Sequence, residues 1–255
     1  MSDPLVTVAV PSFNHGRFLD DALESILFQR VPVEVVVLDA GSTDNSLSVL
    51  KKWQSRLLWW RSSPDSGQAA AVNEGIAKGK APFVCWLNAD DRFLPNGLKR
   101  LLEALEACPD IPAAYGRCFT ITREGHRVFP YVTAPFRPWL LASYCFIAQP
   151  ATLIRRSAWE GIGGLDESLH MAPDYDLWWR LHVANGDLRY VRKFVAETRM
   201  HLKTKTAGRR KEHYIEAMKV VQRHTGRIPL KWYAAWPFMV NFRAVVQELR
   251  DRPLH

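Results

Sequence analysis

Residues 81–91, APFVCWLNADD, constrain the fold more than any other stretch of this chain. Their first half, Phe83 to Leu87, is a short apolar run of the kind found in strands buried on both faces. Their second half is a turn of small and polar residues: Asn88, Ala89, Asp90 and Asp91. Because ligands of open α/β sheets bind at the carboxyl ends of the strands, this turn predicts oxygen ligands at a binding edge.

Two interpretations of the turn remain open on this stretch alone. Adjacent carboxylates with an amide nearby suit a hard divalent cation that also holds phosphate oxygens. Alternatively, Asp90 or Asp91 caps the helix that begins near Pro95.

The segments before this turn predict a parallel sheet. Leu5 to Val10 and Val33 to Leu38 are apolar, strand-like runs, and Arg17 to Gln29 between them carries apolar residues at helical spacing. Each strand ends in a polar loop, PSFNHG after the first and DAGSTD after the second. Strand, helix and strand in this order predict an α/β fold with a mostly parallel central sheet flanked by helices.

Several polar residues near these strand ends are candidate ligand contacts. Asp39 ends the second strand and is placed to accept a hydrogen bond from a base N–H, whereas Asp44 is expected to cap the helix Ser46 to Trp53. Gly67 is a hinge before a helix of small residues, and Asn73 within it is either a packing amide or a ligand contact. The chain has neither a GxGxxG nor a GxxxxGK[ST] motif, which argues against a dinucleotide fold and a P-loop.

The later part of the chain predicts a hairpin, a helix with two acids and a last strand. Ala113 to Tyr131 alternates apolar and polar residues around a Glu-Gly turn. Pro173 begins a helix in which Asp174 is the better candidate for a catalytic base and Asp176 is expected to pair with Arg180 four residues later. The basic loop after strand Val191 to Thr198 contains His201, Lys203 and Lys205, and it is a candidate lid over a metal diphosphate.

The net positive charge comes entirely from the last part of the chain. Residues 1–200 carry 22 basic and 22 acidic side chains, and residues 201–255 carry 12 and 4, which gives a net charge of +8. This asymmetry indicates an anionic partner: a diphosphate, an acidic lipid surface or a nucleic acid. The aromatic stretch from Lys231 to Leu249 either lies on a membrane surface or packs on the rest of the protein. Its aromatics alternate poorly with its charges, which disfavours RNA binding.

Other sequence signals favour a cytoplasmic protein. The N-terminus has no basic region before an apolar one, and no apolar run reaches membrane-spanning length. The four cysteines lack CxxC spacing, as expected of reduced thiols.

Taken together, these segments resemble the family 2 inverting glycosyltransferases of the GT-A fold, and most closely the bacterial polysaccharide and O-antigen assembly branch. The resemblance covers roughly residues 1–205 and leaves 206–255 as a C-terminal helical extension. The matching segments are VTVAVPSFNHGRFLDDALES, EVVVLDAGSTDNS, SPDSGQAAAVNEGIAKGKAPFVCWLNADD, IAQPATLIRRSAWEGIGGLDESL, PDYDLWWRL and RMHLKTKT.

The resemblance implies a role for each candidate residue. Asp174 is the catalytic base, and Asp90 and His201 bind Mg²⁺ or Mn²⁺. The nucleotide is held by Pro11, Phe13, Asn14, Asp39, Gly67, Asn73, Asn88 and Ala89. The diphosphate, donor or acceptor is supported by Asp91, Asp65, Gln149, Trp178, Lys203 and Lys205. Asn88 removes one negative charge from the metal site, and Pro173 replaces the acidic residue that often precedes the base.

The implied activity is metal-dependent, inverting transfer of a sugar from a UDP- or dTDP-sugar to a hydroxyl group. The implied acceptor is a glycan or a polyprenyl-diphosphate-linked saccharide in bacterial surface polysaccharide synthesis, including lipopolysaccharide. The implied location is cytoplasmic, peripheral at the inner face of the membrane through the extension. The alternative is a catalytically silent protein of the same fold that binds a nucleotide sugar or a lipid diphosphate. A nucleotidyltransferase is disfavoured, because PSFNHGRF is a poor match to the Gly-rich, Arg-containing loop that such an enzyme needs.

Overall fold

A computed structural model describes residues 3–200 and 208–242 of the chain. In chain order the elements are β1 (Val6–Ser12), α1 (Gly16–Leu27), β2 (Val33–Asp39), α2 (Ser46–Trp53), β3 (Trp59–Ser62), α3 (Gln68–Lys78), β4 (Phe83–Trp86), β5 (Arg92–Phe93), α4 (Gly97–Glu106), β6 (Ala113–Ile121), β7 (Arg127–Pro130), α5 (Pro138–Leu141), β8 (Thr152–Arg155), α6 (Arg156–Gly161), α7 (Pro173–Asn185), β9 (Arg189–Arg199), α8 (Arg210–Thr225) and α9 (Leu230–Trp236). A π-helical turn, Pro237–Phe242, follows α9.

The described strands form one mixed sheet in the order β3-β2-β1-β4-β8-β6-β9-β5, with β7 paired to β6. Strands β3, β2, β1 and β4 are mutually parallel, as predicted. Strand β8 runs antiparallel to β4 and β6, whereas β9 runs parallel to β6. The predicted hairpin is confirmed, since β7 pairs antiparallel with β6.

The core lies on both faces of the sheet. Val84 and Trp86 of β4 belong to one apolar cluster, with α3, α6, α7 and α8. Phe83 and Cys85 belong to the other, with α1 and α4. Successive side chains of a strand point to opposite faces, so β4 is buried on both sides as its apolar run predicts.

Strand β9 is the element that completes the binding edge. It lies between β6 and the two-residue strand β5, and its Glu197 is opposite Arg92 in the register. Its last residue, Arg199, therefore ends beside the turn that follows β4. The sequence predicts β9 as a strand but gives no sign of its neighbours, which lie far away in the chain.

The C-terminal helices pack on the rest of the fold. Trp232 of α9 is buried and donates its indole N–H to the carbonyl oxygen of Ala142 at 2.9 Å. Its ring contacts Tyr175 and Tyr214. Tyr233 and Leu230 of the same helix are exposed. Packing on the rest of the protein thus accounts for Trp232, and the membrane contact stays a prediction. In the described part of the chain, no helix has the length and apolarity needed to cross a bilayer.

Candidate active site

The polar loops meet at one edge of the sheet because the strands that carry them are parallel and in register. Ser12 at the end of β1 is opposite Asp39 at the end of β2, and Ala9 is opposite Trp86. The loop after β1, the loop after β2 and the turn Asn88–Asp91 therefore emerge side by side.

Asn88 is the centre of a network of amides in that turn. Its side-chain oxygen accepts a hydrogen bond from Nε2 of Gln68 at 2.7 Å. Its side-chain nitrogen lies 3.2 Å from Oδ2 of Asp91 and 3.3 Å from Oε1 of Gln149. Gln149 in turn donates to the carbonyl oxygen of Trp86 at 2.8 Å. Gln149, predicted to support a ligand, thus connects the turn to the end of β4 through these two hydrogen bonds.

Arg199 bonds the carboxylate of Asp91 and the backbone of Asp90. Its backbone N–H donates to Asp91 at 2.8 Å, and its Nε donates to the carbonyl oxygen of Asp90 at 2.9 Å. The guanidinium is buried, and it also donates to the carbonyl oxygens of Thr122 and Arg123. Burial and the neighbouring charge of Asp90 raise the pKa of Asp91 to about 8. A cation bound beside Asp90 would offset that charge and lower the pKa of Asp91.

Asp90 offers one carboxylate at the sheet edge to a hard divalent cation. Its carboxylate lies at the sheet edge, largely buried, with Nε2 of His15 at 3.9 Å. Oxygen ligands of this kind suit Mg²⁺ and Mn²⁺, which complete their coordination with phosphate oxygens and water. Within residues 3–200 and 208–242, no three His, Cys, Asp or Glu side chains converge on a point that could hold a metal ion. The predicted His201, Lys203 and Lys205 lie outside the described residues.

Asp39 is a buried carboxylate at the end of β2, as expected. Its carboxylate is buried and accepts hydrogen bonds from the N–H and hydroxyl of Ser42, at 2.9 and 2.5 Å, and from the hydroxyl of Ser62 at 2.6 Å. These bonds organise the loop after β2. The direct contact with a nucleotide base that the resemblance implies stays a prediction.

The loop after β1 presents one aromatic ring to solvent. Phe13 is 56% exposed, whereas Pro11 is buried within the sheet. Asn14 adopts φ +55° and its side-chain oxygen accepts the N–H of Thr43, which ties the first loop to the second. Ala89 is fully buried, and the nucleotide contact that the resemblance implies for it stays a prediction.

The segment before α3 is built around Gly67. Its φ of +119° is accessible to glycine and strained for other residues, and its N–H donates to Asp65 at 2.9 Å. Asp65 also lies 3.7 Å from Arg61.

Asn73, predicted either as a packing amide or as a ligand contact, is a packing amide. Its nitrogen donates to Leu165 and Glu167, and its oxygen accepts from Leu165, all at 2.9 Å. Both ends of its side chain are engaged within the protein, which favours the packing alternative over the implied nucleotide contact.

Asp174 lies in the first turn of α7, which begins at Pro173 as predicted. It is half-buried, and its charge contributes, after burial, to raising the pKa of the Cys145 thiol. Asp176 is fully buried and accepts from Arg180 at 2.6 Å, which confirms the predicted pairing four residues apart.

Two links bring Asp174 towards the turn after β4. Trp178, one helical turn after Asp174, stacks on Trp86 with ring centroids 6.2 Å apart. Trp178 has no exposed surface, so the support role predicted for it comes from packing and not from ligand contact. The second link is the segment from Cys145, beside Asp174, to Gln149, beside Asn88, which spans at most about 13 Å.

Sequence analysis missed three residues of the site: His15, Gln68 and Arg199. His15 follows the end of β1, and Gln68 begins α3 at the same edge of the sheet. Their positions near strand ends were therefore a weak sign that they belong to the site. Arg199 gave none, because its partners lie more than 75 residues away in the chain.

A family model described as Glycosyl transferase family 2 matches residues 7–162, more than half of the chain. Among curated proteins, the chain is 24% identical to a chondroitin synthase of Escherichia coli over 240 residues, which are 92% of this chain and 34% of that protein. It is 28% identical to the O-antigen biosynthesis protein RfbC of Myxococcus xanthus over 194 residues, 74% of this chain and 15% of that protein. The chain thus spans about a third of the first relative and less of the second.

Solved structures of the same fold include two complexes with nucleotide sugars. Residues 1–349 of S. aureus TarS in complex with UDP-GlcNAc superpose with a TM-score of 0.68 at 16% identity, covering 94% of this chain and 71% of that one. The mannosyltransferase PcManGT from Pyrobaculum calidifontis, in complex with GDP-Man and Mn²⁺, gives a TM-score of 0.69 at 20% identity, covering 99% and 77%.

Proposed function

The chain belongs to glycosyl transferase family 2 and is a glycosyltransferase of the GT-A fold, and from its site we propose an inverting, metal-dependent transfer. The donor is a nucleotide diphosphate sugar, with a UDP- or dTDP-sugar favoured. The observation that carries the proposal is the pair of acidic sites linked through Trp86 and Trp178: Asp90 at the sheet edge and Asp174 at the start of α7.

The chemistry is a single in-line displacement. The acceptor oxygen attacks the anomeric carbon while the bond from that carbon to the diphosphate oxygen breaks, and its electron pair leaves with the nucleoside diphosphate. Asp174 takes the hydroxyl proton as the new bond forms, a contribution of typically ~10²–10⁴-fold. A Mg²⁺ or Mn²⁺ ion, when bound at Asp90, stabilises the charge of the departing diphosphate.

The chain's own residues hold this arrangement in place. Arg199, Gln68 and Gln149 keep the turn Asn88–Asp91 rigid, so the carboxylate of Asp90 is positioned before a ligand arrives. Fixed polar groups of this kind need little reorganisation during the reaction. The exposed ring of Phe13 and the loop held by Asp39 are the surfaces proposed for the base.

The acceptor is proposed to be a glycan or a polyprenyl-diphosphate-linked saccharide of a bacterial surface polysaccharide. The names of the relatives, chondroitin synthase and an O-antigen biosynthesis protein, support a saccharide acceptor. For a lipid-linked acceptor, the exposed Leu230 and Tyr233 beside Lys231 offer a peripheral contact with an anionic membrane at the inner leaflet. This contact is proposed for the extension, residues 206–255.

A thermal-shift panel tests the proposal. The full chain is heated with UDP-GlcNAc, UDP-glucose, a dTDP-sugar or GDP-mannose, each with Mn²⁺ or with a chelator. A ligand at about 100 times its Kd stabilises the folded state by about 2.7 kcal/mol, which for a chain of this size raises Tm by roughly 5–10 °C. We expect one UDP- or dTDP-sugar to do so with Mn²⁺ only.

The variant Asp90→Ala is expected to abolish the Mn²⁺-dependent part of the shift, with Asp110→Ala, an exposed acid, as the control. If the rise in Tm is the same with the chelator, or is unchanged in Asp90→Ala, the result contradicts a metal site at Asp90. Turnover with a panel of octyl glycosides separates the transferase from a silent binding protein, which shows the shift without releasing the nucleoside diphosphate.

A further inference from the structure

One carboxylate of helix α8 forms hydrogen bonds with the backbone just before Asp174. Glu216, in the middle of this helix, accepts hydrogen bonds from three consecutive backbone N–H groups, those of His170, Met171 and Ala172, at 3.1, 2.5 and 2.6 Å. The N–H groups at the start of a helix have no intrahelical partner and carry partial positive charge. A half-buried carboxylate therefore holds the entry to α7 with charge-assisted bonds.

A second contact from α8 holds the chain immediately after Asp174. Asp176 is fully buried and accepts from Nε2 of His224 at 2.8 Å and from Arg223 at 3.3 Å. Arg223 also donates to Asp166, in the loop before α7, at 2.8 Å. Residues two positions before and two positions after Asp174 are thus both bonded to α8.

A base held in this way can move little relative to the sheet edge. A misplacement of about 1 Å at a reacting group can reduce the rate on the order of 10²-fold. The loop 170–172 has no regular structure of its own, so the Glu216 carboxylate is what fixes its backbone on the side of α8.

We propose that Glu216 is a positioning residue for Asp174, so that helix α8 of the C-terminal extension is part of the catalytic machinery. The inference rests on the proposed function, because it takes Asp174 as the base. A merely structural Glu216 would lower the stability of the protein and leave the rate of the folded enzyme unchanged.

The test compares Glu216→Gln with Glu212→Gln, which lies one turn earlier on α8, is exposed and pairs only with Arg209 among the contacts described. Turnover is measured with the donor that gives the largest thermal shift and an octyl glycoside acceptor, well below the Tm of each variant. We expect Glu216→Gln to reduce kcat by 10- to 100-fold, with the Kd of the donor within twofold of the parent, and Glu212→Gln to match the parent.

A double-mutant cycle identifies the residue through which Glu216 acts. If Glu216 acts through Asp174, the double variant Glu216→Gln, Asp174→Asn is no slower than Asp174→Asn alone. If the loss in kcat of the double variant is the product of the two single losses, the inference is overturned. A Glu216→Gln enzyme with the parent kcat overturns it also. If Glu216→Gln does not fold, Glu216→Asp, which retains the charge and withdraws the oxygens, is put through the same cycle.

The outcomes also separate this inference from the proposed function. If Asp174→Asn transfers sugar at the parent rate, the base assignment itself fails. If Asp174→Asn is inactive and Glu216→Gln has the parent kcat, only the positioning role fails.

Discussion

Arg199 is the residue on which the geometry of the acidic turn depends most. It bonds Asp91 through its backbone and Asp90 through its guanidinium, and the same guanidinium holds the loop at Thr122 and Arg123. A planar group with several donors can serve these separate acceptors, and the single ammonium of lysine cannot.

We therefore expect Arg199→Lys to lower the free energy of unfolding by about 1–3 kcal/mol, since it leaves buried acceptors without partners. The affinity for Mn²⁺ should fall with it. Denaturant titration and thermal melts with Mn²⁺ measure the two effects. Arg192→Lys, an exposed position on the same strand, is the control. A loss below about 0.5 kcal/mol would contradict the role, because that is the range of ordinary surface substitutions.

Asn88 gives a second prediction at this scale, in which stability and metal affinity change in opposite directions. Its side-chain nitrogen faces Oδ2 of Asp91 and Oε1 of Gln149. In Asn88→Asp a carboxylate faces these acceptors, so the metal-free protein should lose about 1–3 kcal/mol. The added charge should strengthen Mn²⁺ binding. Melting curves with and without Mn²⁺ test both signs, and a variant that loses stability and gains no Mn²⁺ response speaks against a cation here.

At the scale of elements, the stacked pair of Trp86 and Trp178 joins β4 to α7. The two elements carry the two halves of the proposed chemistry, and Trp178 has no exposed surface. Removing a fully buried tryptophan side chain typically costs about 3–5 kcal/mol.

We expect Trp178→Ala to lose stability of that size and to reduce kcat beyond what the fraction of folded protein explains. Trp139→Ala is the matched control, since that ring is 69% exposed and should change the free energy of unfolding by less than about 0.5 kcal/mol. Equal losses in the two variants would show that the stack does not join the elements.

Several elements predicted from local pattern are present in the structure. The helix Ser46–Trp53 has the predicted bounds, and Pro173 begins α7 as expected. What local pattern could not supply is pairing between distant segments. The two-residue strand β5 forms only because β9 lies beside it.

Pairing between distant segments also decides the surroundings of single residues, which the sequence does not show. Asn73 is a packing amide because Leu165, 92 residues later, provides its partners. Asp39, expected as a buried carboxylate, also accepts from Ser62, its partner in the neighbouring strand. A sequence shows which side chains lie at strand ends, but the tertiary fold decides which residues become their hydrogen-bond partners.

At the scale of the whole molecule, the attachment of α8 should depend on pH. Hydrogen bonds from Ser168 and Arg223 lower the pKa of Asp166 to about 2. Burial opposes ionisation of Asp176, yet bonds from His224 and Arg180 outweigh it and lower its pKa also. A carboxyl group whose pKa is lower in the folded state stabilises the fold above its unfolded pKa, and this stabilisation is lost as the pH falls.

The free energy of unfolding should therefore fall between about pH 4 and pH 2, where Asp166 takes up its proton, and the lowered pKa of Asp176 contributes with the same sign. Asp166→Asn should reduce the slope of that decrease and cost less than about 1 kcal/mol at pH 7, because the pair with Arg223 is near the surface. Urea titrations at several pH values measure the slope. An unchanged slope in Asp166→Asn would exclude this acid as a contributor.

The measurement that tests the central claim most directly is the turnover of Asp174→Asn at saturating donor. The account places the cation and the diphosphate beside Asp90 and the proton transfer at Asp174, so the two functions should separate. We predict that Asp174→Asn binds the donor with an unchanged Kd and loses about 10²–10⁴-fold in kcat. A variant that transfers sugar at the parent rate, or one that loses donor binding along with turnover, would contradict the account.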